Sequence, residues 1–389
     1  MRVLMLSTPV ATHFTPMVPL AWALRVAGHE VLVAGQPDVT AAAQRAGLCT
    51  STVGDAFDAV GFLSIRYPEG KRPLQVTGRP SVDTMAEHSK VWAVHADIHL
   101  DAYLGLARSW RPDLIVSEQY ECAGPVVAAV LGIPAVTHRW AVDPLGEPTR
   151  RAAEELLTGT CRKLGLPALP VPDRILDPCP PSLQVPEAEP GTPIQYVPFN
   201  GSADLPGWVS EPRTTTHRMC VSLGTATLAL NGLPLLRAII SAFDGLDDVE
   251  ALVTVEPRFH DALGPVPRQV RFVDPTPLDL FLHTCDAMLH HGGAGTTLAA
   301  IRAGLPQVVL PQVLSMFATG DALASAGAGV VLADPSEQDD PAAVREAMRK
   351  LLADPGYRAA AVGLREEMAG MPGPVEVVAE LEALAVKGG

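Results

Sequence analysis

The stretch His290-His291-Gly292-Gly293-Ala294-Gly295-Thr296-Thr297 joins the residue types that bind an anion through backbone N–H groups. The run Asp286-Ala287-Met288-Leu289 enters it and the helix-forming run Leu298–Ala303 leaves it, giving strand, glycine turn and helix start in succession. Glycines let a ligand approach the backbone closely, and the free N–H groups of a helix start attract negative charge. An imidazole beside them adds one more donor. Such a turn holds a diphosphate without a metal. Its bland counterpart is a tight strand–helix connection with no ligand; the histidine pair and the threonine pair favour the anion.

A second group of candidates lies near the amino end. His13 follows the apolar run Val3–Leu6 after a turn, Ser7-Thr8-Pro9-Val10-Ala11-Thr12, that contains no glycine. Imidazole titrates in the range that suits a general base; the bland alternative is a histidine at a helix start. His88, Trp92, His95 and His99 recur at i, i+4, i+7 and i+11, on one helical face. That stripe either lines a pocket or packs against a core. No carboxylate joins it at helical spacing, which argues against a metal centre.

These residues need a frame. Val3–Leu6 predicts a first strand, followed by a helix at about Pro16–Ala27, a strand Glu30–Ala34 and a helix Val39–Ala46. The rhythm resumes with strand Asp113–Ser117, helix Ala123–Leu131 and strand Ile133–Thr137. Residues 51–90 read as irregular and 141–200 as proline-rich, the kind of segment that forms binding loops or lids. After a linker at 206–216, strands are expected at Met219–Leu223, Ala251–Val255, Val270–Val273, Ala287–His290, Val308–Leu310 and Gly329–Leu332. Helices are expected at Pro234–Phe243, Leu278–Thr284, Thr296–Ala303 and Phe317–Ala326, with three more at about 341–353, 356–369 and 374–386. Alternating strands and helices predict parallel sheets with helices on both faces, here in two doubly wound halves around a cleft.

The 389 residues supply a core for each half, with 48% apolar and 19% charged residues. A net charge of −14 argues against nucleic acid or an anionic membrane as the main partner. No run reaches the roughly 18 apolar residues expected of a membrane span. The six scattered cysteines include no C-x-x-C pair, so a reduced, cytoplasmic protein without a structural metal is expected. The turn after the first strand lacks Gly-x-Gly-x-x-Gly, and no P-loop is present, which excludes the usual dehydrogenase and NTPase signatures.

The two halves, His-Gly-Gly-Ala-Gly-Thr at 291–296 and Thr12-His13-Phe14-Thr15-Pro16-Met17 after the first strand resemble the GT-B glycosyltransferases of family 1. The closest resemblance is to the actinomycete branch that attaches deoxysugars to polyketide antibiotics, its spinosyn rhamnosyltransferase-like members above all. It covers essentially the whole chain, including Thr137–Asp143, Leu176–Leu183 and Pro193–Ser202. It implies an α/β GT-B fold of two Rossmann-like domains facing a central cleft. Residues 1–205 would bind the acceptor, 217–372 the nucleotide sugar, and 373–389 would form a helix packing back on the first domain.

The resemblance further implies an inverting, metal-independent transfer in which the nucleotide sugar is a co-substrate and no cofactor is needed. His13 matches the family's base, and Glu118 occupies the place of the carboxylate that orients it, usually an aspartate; Asp143 is the fallback. His291, Gly293, Gly295 and Thr296 match the diphosphate site, with Gly224 and Thr225 as a second clamp. Val273 and Pro275 match the nucleobase site. Trp92, His138, Trp140 and Asp143 fall where the family binds its acceptor. A TDP donor is implied by the branch, and the acceptor is expected to be a hydrophobic small molecule; dimerisation is left open.

One departure stands out. Ser315 and Met316, in the run Pro311–Phe317, replace an Asp-Gln pair that holds sugar hydroxyls in many members. A thioether cannot make a carboxamide's hydrogen bonds. The change fits a sugar with fewer hydroxyls; its alternative is that Gln312 takes over the contact. Rival readings are C-transfer to an aromatic polyketide, a sugar-nucleotide 2-epimerase, and an inactive partner of another transferase.

Overall fold

In β1 (Arg2–Leu6) every residue after Arg2 is apolar and buried. A strand of that composition is stable only in a sheet covered on both faces. Val3 and Met5 enter one core with Val18 and Leu24, while Leu4 and Leu6 enter another with Leu100 and Val127. The alternation is that of a strand with period two. The computed structural model describes residues 1–65, 67–313 and 315–388; Leu314, inside the Pro311–Phe317 run, lies outside them.

The first sheet continues with β2 (Glu30–Gly35), β3 (Cys49–Thr52), β4 (Leu114–Glu118), β5 (Ala135–His138), β6 (Arg174–Asp177) and β7 (Thr192–Pro193). The second comprises β8 (His217–Ser222), β9 (Val249–Thr254), β10 (Val270–Val273), β11 (Ala287–His290), β12 (Gln307–Val309) and β13 (Gly329–Val331). Their orders are β3-β2-β1-β4-β5-β6-β7 and β10-β9-β8-β11-β12-β13, with every pairing parallel. In each sheet the chain winds outward from its first strand and then returns to that strand's other side. The order therefore reverses between β1 and β4, and between β8 and β11. Loops leaving such a pair diverge and open a crevice beyond the strands' carboxyl ends. His13 follows β1 and Glu118 ends β4; Gly224 follows β8 and His291 follows β11. The expected α/β architecture of two doubly wound parallel sheets is present.

Several local expectations are corrected. Residues 51–90 hold the end of β3, helices Ala59–Ser64 and Pro73–Thr77, and the start of a long helix, Val82–Trp110. Ser81 caps that helix by accepting from Thr84 N, and Arg111 ends it with φ 55°. The proline-rich 141–200 region contains an 18-residue helix, Gly146–Lys163. The single helix expected at Pro16–Ala27 begins instead at Ala11 and passes through a 3-10 turn at Thr15–Met17 before Val18–Val26. Leu278–Thr284 is two 3-10 turns. Gly224–Ala242, 19 residues with mean hydropathy 1.3, does reach the length and apolarity of a membrane span. Its backbone leaves helical geometry at Leu230 and Asn231, and half of its apolar window is packed inside the protein.

The halves touch through polar and apolar contacts. Ala141, Val142, Leu183 and Tyr196 share a core with Leu298, Leu323 and Met368 of the second half. Tyr196 Oη donates to the Gly295 carbonyl at 3.2 Å, and Asn231 Nδ2 to the Lys71 carbonyl at 2.9 Å. The last helix, Pro374–Gly388, belongs to the first half's core: Val377, Val378 and Leu381 pack with Val3, Met5 and Leu24. Glu382 pairs with His29 at 2.9 Å, and Glu380 with Arg174.

Candidate active site

His13 lies in the short helix Ala11–Phe14, on the loop that β1 projects beyond the sheet edge. Its Nδ1 is 2.7 Å from Thr8 Oγ1. Thr8 Oγ1–H donates to Glu118 Oε1 at 2.7 Å, and Thr8 N–H donates to the same oxygen at 3.2 Å. Tyr120 N–H donates to Glu118 Oε2 at 2.9 Å. Thr8 and Glu118 are buried. A hydroxyl has one proton to give. With that proton on the carboxylate, Thr8 Oγ1 accepts from His13 Nδ1–H, and the His13 Nε2 lone pair is left free. Glu118 is thus linked to His13 through Thr8 rather than directly, and Thr8 is not among the expected residues.

Burial opposes charge on both ends of this chain. It lowers the His13 pKa to about 3 and raises that of Glu118 to about 7, the latter despite the Thr8 and Tyr120 hydrogen bonds that favour the carboxylate. His13 remains partly exposed. Aromatic rings enclose it: Trp140 at a centroid distance of 4.0 Å, Trp92 at 5.7 Å and Tyr120 at 6.3 Å. Phe57 extends the group from Trp92 at 6.3 Å. Tyr120 and Phe57 have no local sequence signal; the fold alone places them.

The other expected residues of this half divide. His88 is exposed and leaves the stripe, whereas His95 packs on His99 at 4.7 Å and stands 3.9 Å from Glu121. His138 is buried away from the aromatic group, in a crevice with Pro16, Pro178 and Tyr196, its Nδ1 2.5 Å from the Arg139 carbonyl oxygen. Asp143 accepts from Arg139 Nε at 3.0 Å and Leu145 N–H at 3.1 Å, and Arg139 Nη1 also donates to Asp177 at 2.9 Å. Both Asp143 oxygens are therefore occupied in a buried ion cluster that ties loops together. Among the described residues no group of three or more His, Cys, Asp or Glu is arranged to hold a metal ion.

In the second half, the β11 turn is held from behind. His290 is fully buried: its Nε2–H donates to Gln307 Oε1 at 2.7 Å, and its Nδ1 accepts Gly292 N–H at 3.0 Å. His291 lies between two glycines. A Cβ on Gly224 would stand 2.8 Å from its Cε1, and one on Gly293 2.5 Å from its Nε2. Gly224 also needs its φ of +66°. Gly293 caps the helix Ala294–Arg302, whose first N–H groups, those of Gly295 and Thr296 included, precede any intrahelical acceptor. Burial lowers the His291 pKa to about 4. Thr225 is exposed on the short turn after β8.

The remaining residues expected to bind the donor differ in accessibility. Val273 is buried in the core, and Pro275 is exposed beyond the end of β10. Ser315 precedes the helix Met316–Ser325, and Met316 packs against the glycine turn: a Cβ on Gly292 would lie 3.1 Å from Met316 Cβ. Gln312 is buried, donating to the Leu310 carbonyl at 3.0 Å and to Gln338 Oε1 at 2.6 Å. Its amide is turned inward, whereas Ser315 and Met316 are partly exposed.

The chain matches the family models described as the N-terminal and C-terminal domains of erythromycin biosynthesis protein CIII-like proteins, over residues 22–224 and 238–384. It is similar to the spinosyn rhamnosyltransferase SpnG, with 39% identity and a TM-score of 0.88 over 98% of this chain and 100% of that one. A structure of SpnG with thymidine diphosphate matches at 40% identity, TM-score 0.86 and the same coverage. Among characterised sequences, L-demethylnoviosyl transferase of Streptomyces niveus is 35% identical over 98% of both chains. The two sheets, the glycine turn locked around His291 and the supported His13 thus sit in a chain that belongs to the erythromycin biosynthesis protein CIII-like family of glycosyltransferases.

Proposed function

We propose that the protein transfers a 6-deoxysugar from a TDP-sugar to a hydroxyl of a hydrophobic, polyketide-type acceptor, with inversion at the anomeric carbon and without a metal. The observation that carries the reading is the hydrogen-bonded chain from Glu118 through Thr8 to His13, which favours the Nδ1–H tautomer. With Nδ1–H bound to Thr8, Nε2 is free to take the acceptor's proton as its oxygen attacks the anomeric carbon. The aromatic rings around His13 supply an apolar acceptor surface. The charge of the departing diphosphate falls on His291 and the N–H groups of Gly293, Gly295 and Thr296, a preorganised set of donors at a helix start.

Several observations support the substrate classes. SpnG has been seen with thymidine diphosphate and with the spinosyn aglycone, and the Streptomyces niveus relative is named for a deoxysugar. Ser315 and Met316 present one hydroxyl and one thioether where a heavily hydroxylated sugar would want more hydrogen bonds. Mass-resolved turnover of a panel of TDP- and UDP-sugars against mixed aglycones tests the reading. His13→Ala should abolish transfer to alcohols while thymidine diphosphate still binds. Full activity in that variant would overturn the mechanism.

A further inference from the structure

We propose that Thr8 is a proton-relay residue, passing the acceptor's proton on from His13 so that it comes to rest on Glu118. The inference rests on the reading of His13 as base and deepens it. Its ground is geometric: three groups from two strand ends form one unbranched chain, Nδ1 to Oγ1 at 2.7 Å and Oγ1 to Oε1 at 2.7 Å. The fold brings Thr8 and Glu118 together from β1 and β4, neighbours in the sheet but 110 positions apart in sequence.

The step balances. The acceptor O–H bond breaks and its proton joins His13 Nε2. The proton on Nδ1 passes to Thr8 Oγ1, and the Thr8 hydroxyl proton passes to Glu118 Oε1. The acceptor oxygen's electron pair forms the bond to the anomeric carbon, and the pair of the old C–O bond leaves on the diphosphate. His13 ends neutral with its tautomer reversed, and Glu118 ends neutral. An enclosed site disfavours an imidazolium facing a carboxylate across a hydroxyl, and burial moves the two groups accordingly, His13 down and Glu118 up. Besides Thr8 and the Tyr120 N–H, the titratable groups around Glu118 are Tyr103, Tyr120 and Cys122, which burial holds neutral, and Glu121, which burial pushes up to about 8.

The relay predicts a switch readable without substrate. Above the Glu118 pKa of about 7, the carboxylate takes Thr8's proton and His13 carries Nδ1–H. Below it, protonated Glu118 donates to Thr8, Thr8 donates to Nδ1, and the proton of His13 moves to Nε2. Nitrogen-15 spectra of the labelled full-length protein at pH 6 and pH 8, with the His13 signal assigned by His13→Ala, should show the two tautomers exchange. Thr8→Val should remove the pH dependence, and Thr8→Ser should restore it. With the donor and acceptor pair found in the panel, Thr8→Val should lose about 100-fold in kcat with both KM values within about twofold. Thr8→Ser should recover most of that loss. Glu118→Gln should lose a similar factor, and the Thr8→Val/Glu118→Gln double variant should be no slower than either single one.

A His13 tautomer that ignores both pH and Thr8→Val overturns the relay. So does additive loss in the double variant. An inert His13→Ala beside a fully active Thr8→Val would sink the relay alone and leave His13 as the base. An active His13→Ala would sink the base reading, and the tautomer spectra would still report whether the hydrogen-bonded chain exists.

Discussion

The imidazole of His291 fills the space that any side chain on Gly224 would need: an added Cβ would come within 2.8 Å of its Cε1. The loops after β8 and β11 are therefore fitted to each other through one ring. Gly224→Ala should move that ring and also strain a backbone at φ +66°. Thymidine diphosphate affinity, measured by calorimetry, should fall at least about tenfold, or about 1.4 kcal/mol. Because the collision is with His291 itself, the same substitution in a His291→Ala background should cost markedly less.

Arg139 is buried between Asp143 and Asp177. Arg139→Met would leave two carboxylates facing each other with no counter-charge. Removing one partner from a buried ion cluster costs about 3–5 kcal/mol. The midpoint of urea unfolding should drop accordingly, while Arg151→Ala, which breaks an exposed pair with Glu147, should leave it unchanged.

Arg72 reaches across from the first half to the second. It pairs with Asp339 at 2.5 Å and donates to Gln338 Oε1 at 3.3 Å, the atom that also receives Gln312 Nε2. Arg79 makes a second crossing to Asp321, between exposed side chains. Arg72→Ala should lower kcat/KM about tenfold by loosening the halves next to the loop that carries Gln312 and Ser315. Arg79→Ala should stay within about twofold, as an exposed pair contributes little.

Stability should peak near pH 6.5. Burial lowers His13, His95, His138, His290 and His291 to about 3 or 4, so the unfolded chain takes up protons below 6.5 that the folded chain refuses. Their contribution is present above 6.5 and lost as pH falls. Glu118 and Glu121 act oppositely: raised to about 7 and 8, they favour the folded state at low pH and cost stability as pH rises through those values. Five histidines outweigh two glutamates, so thermal melting should fall steeply from pH 6.5 to pH 4.5 and only gently from pH 6.5 to pH 8.5.

What the sequence revealed follows from what each residue needs. Val3–Leu6, Leu114–Glu118 and Ala287–His290 are runs buried on both faces, and such strands announce themselves by composition. β3, Cys49-Thr50-Ser51-Thr52, is only partly buried, and β7 is two residues long, so neither carries that signal. The helix Gly146–Lys163 was hidden by prolines on either side of it. His13, Glu118 and His291 stood out because each has a rare chemistry at a strand end. Thr8 did not: a threonine two residues past a strand is unremarkable until the β1–β4 pairing sets Glu118 beside it. Asp143 looked equally free to act, and only the fold shows Arg139 holding it.

The helix Pro374–Gly388 closes the core that β1 opens, with Val377 and Leu381 against Val3 and Met5. A chain leaving the ribosome meets this constraint in order of synthesis. Its first sheet emerges early but lacks one wall, and the whole second sheet must be made before that wall arrives. The first half is thus the first to be translated and the last to be sealed. A stop codon before residue 374 would harm the half farthest from it in sequence.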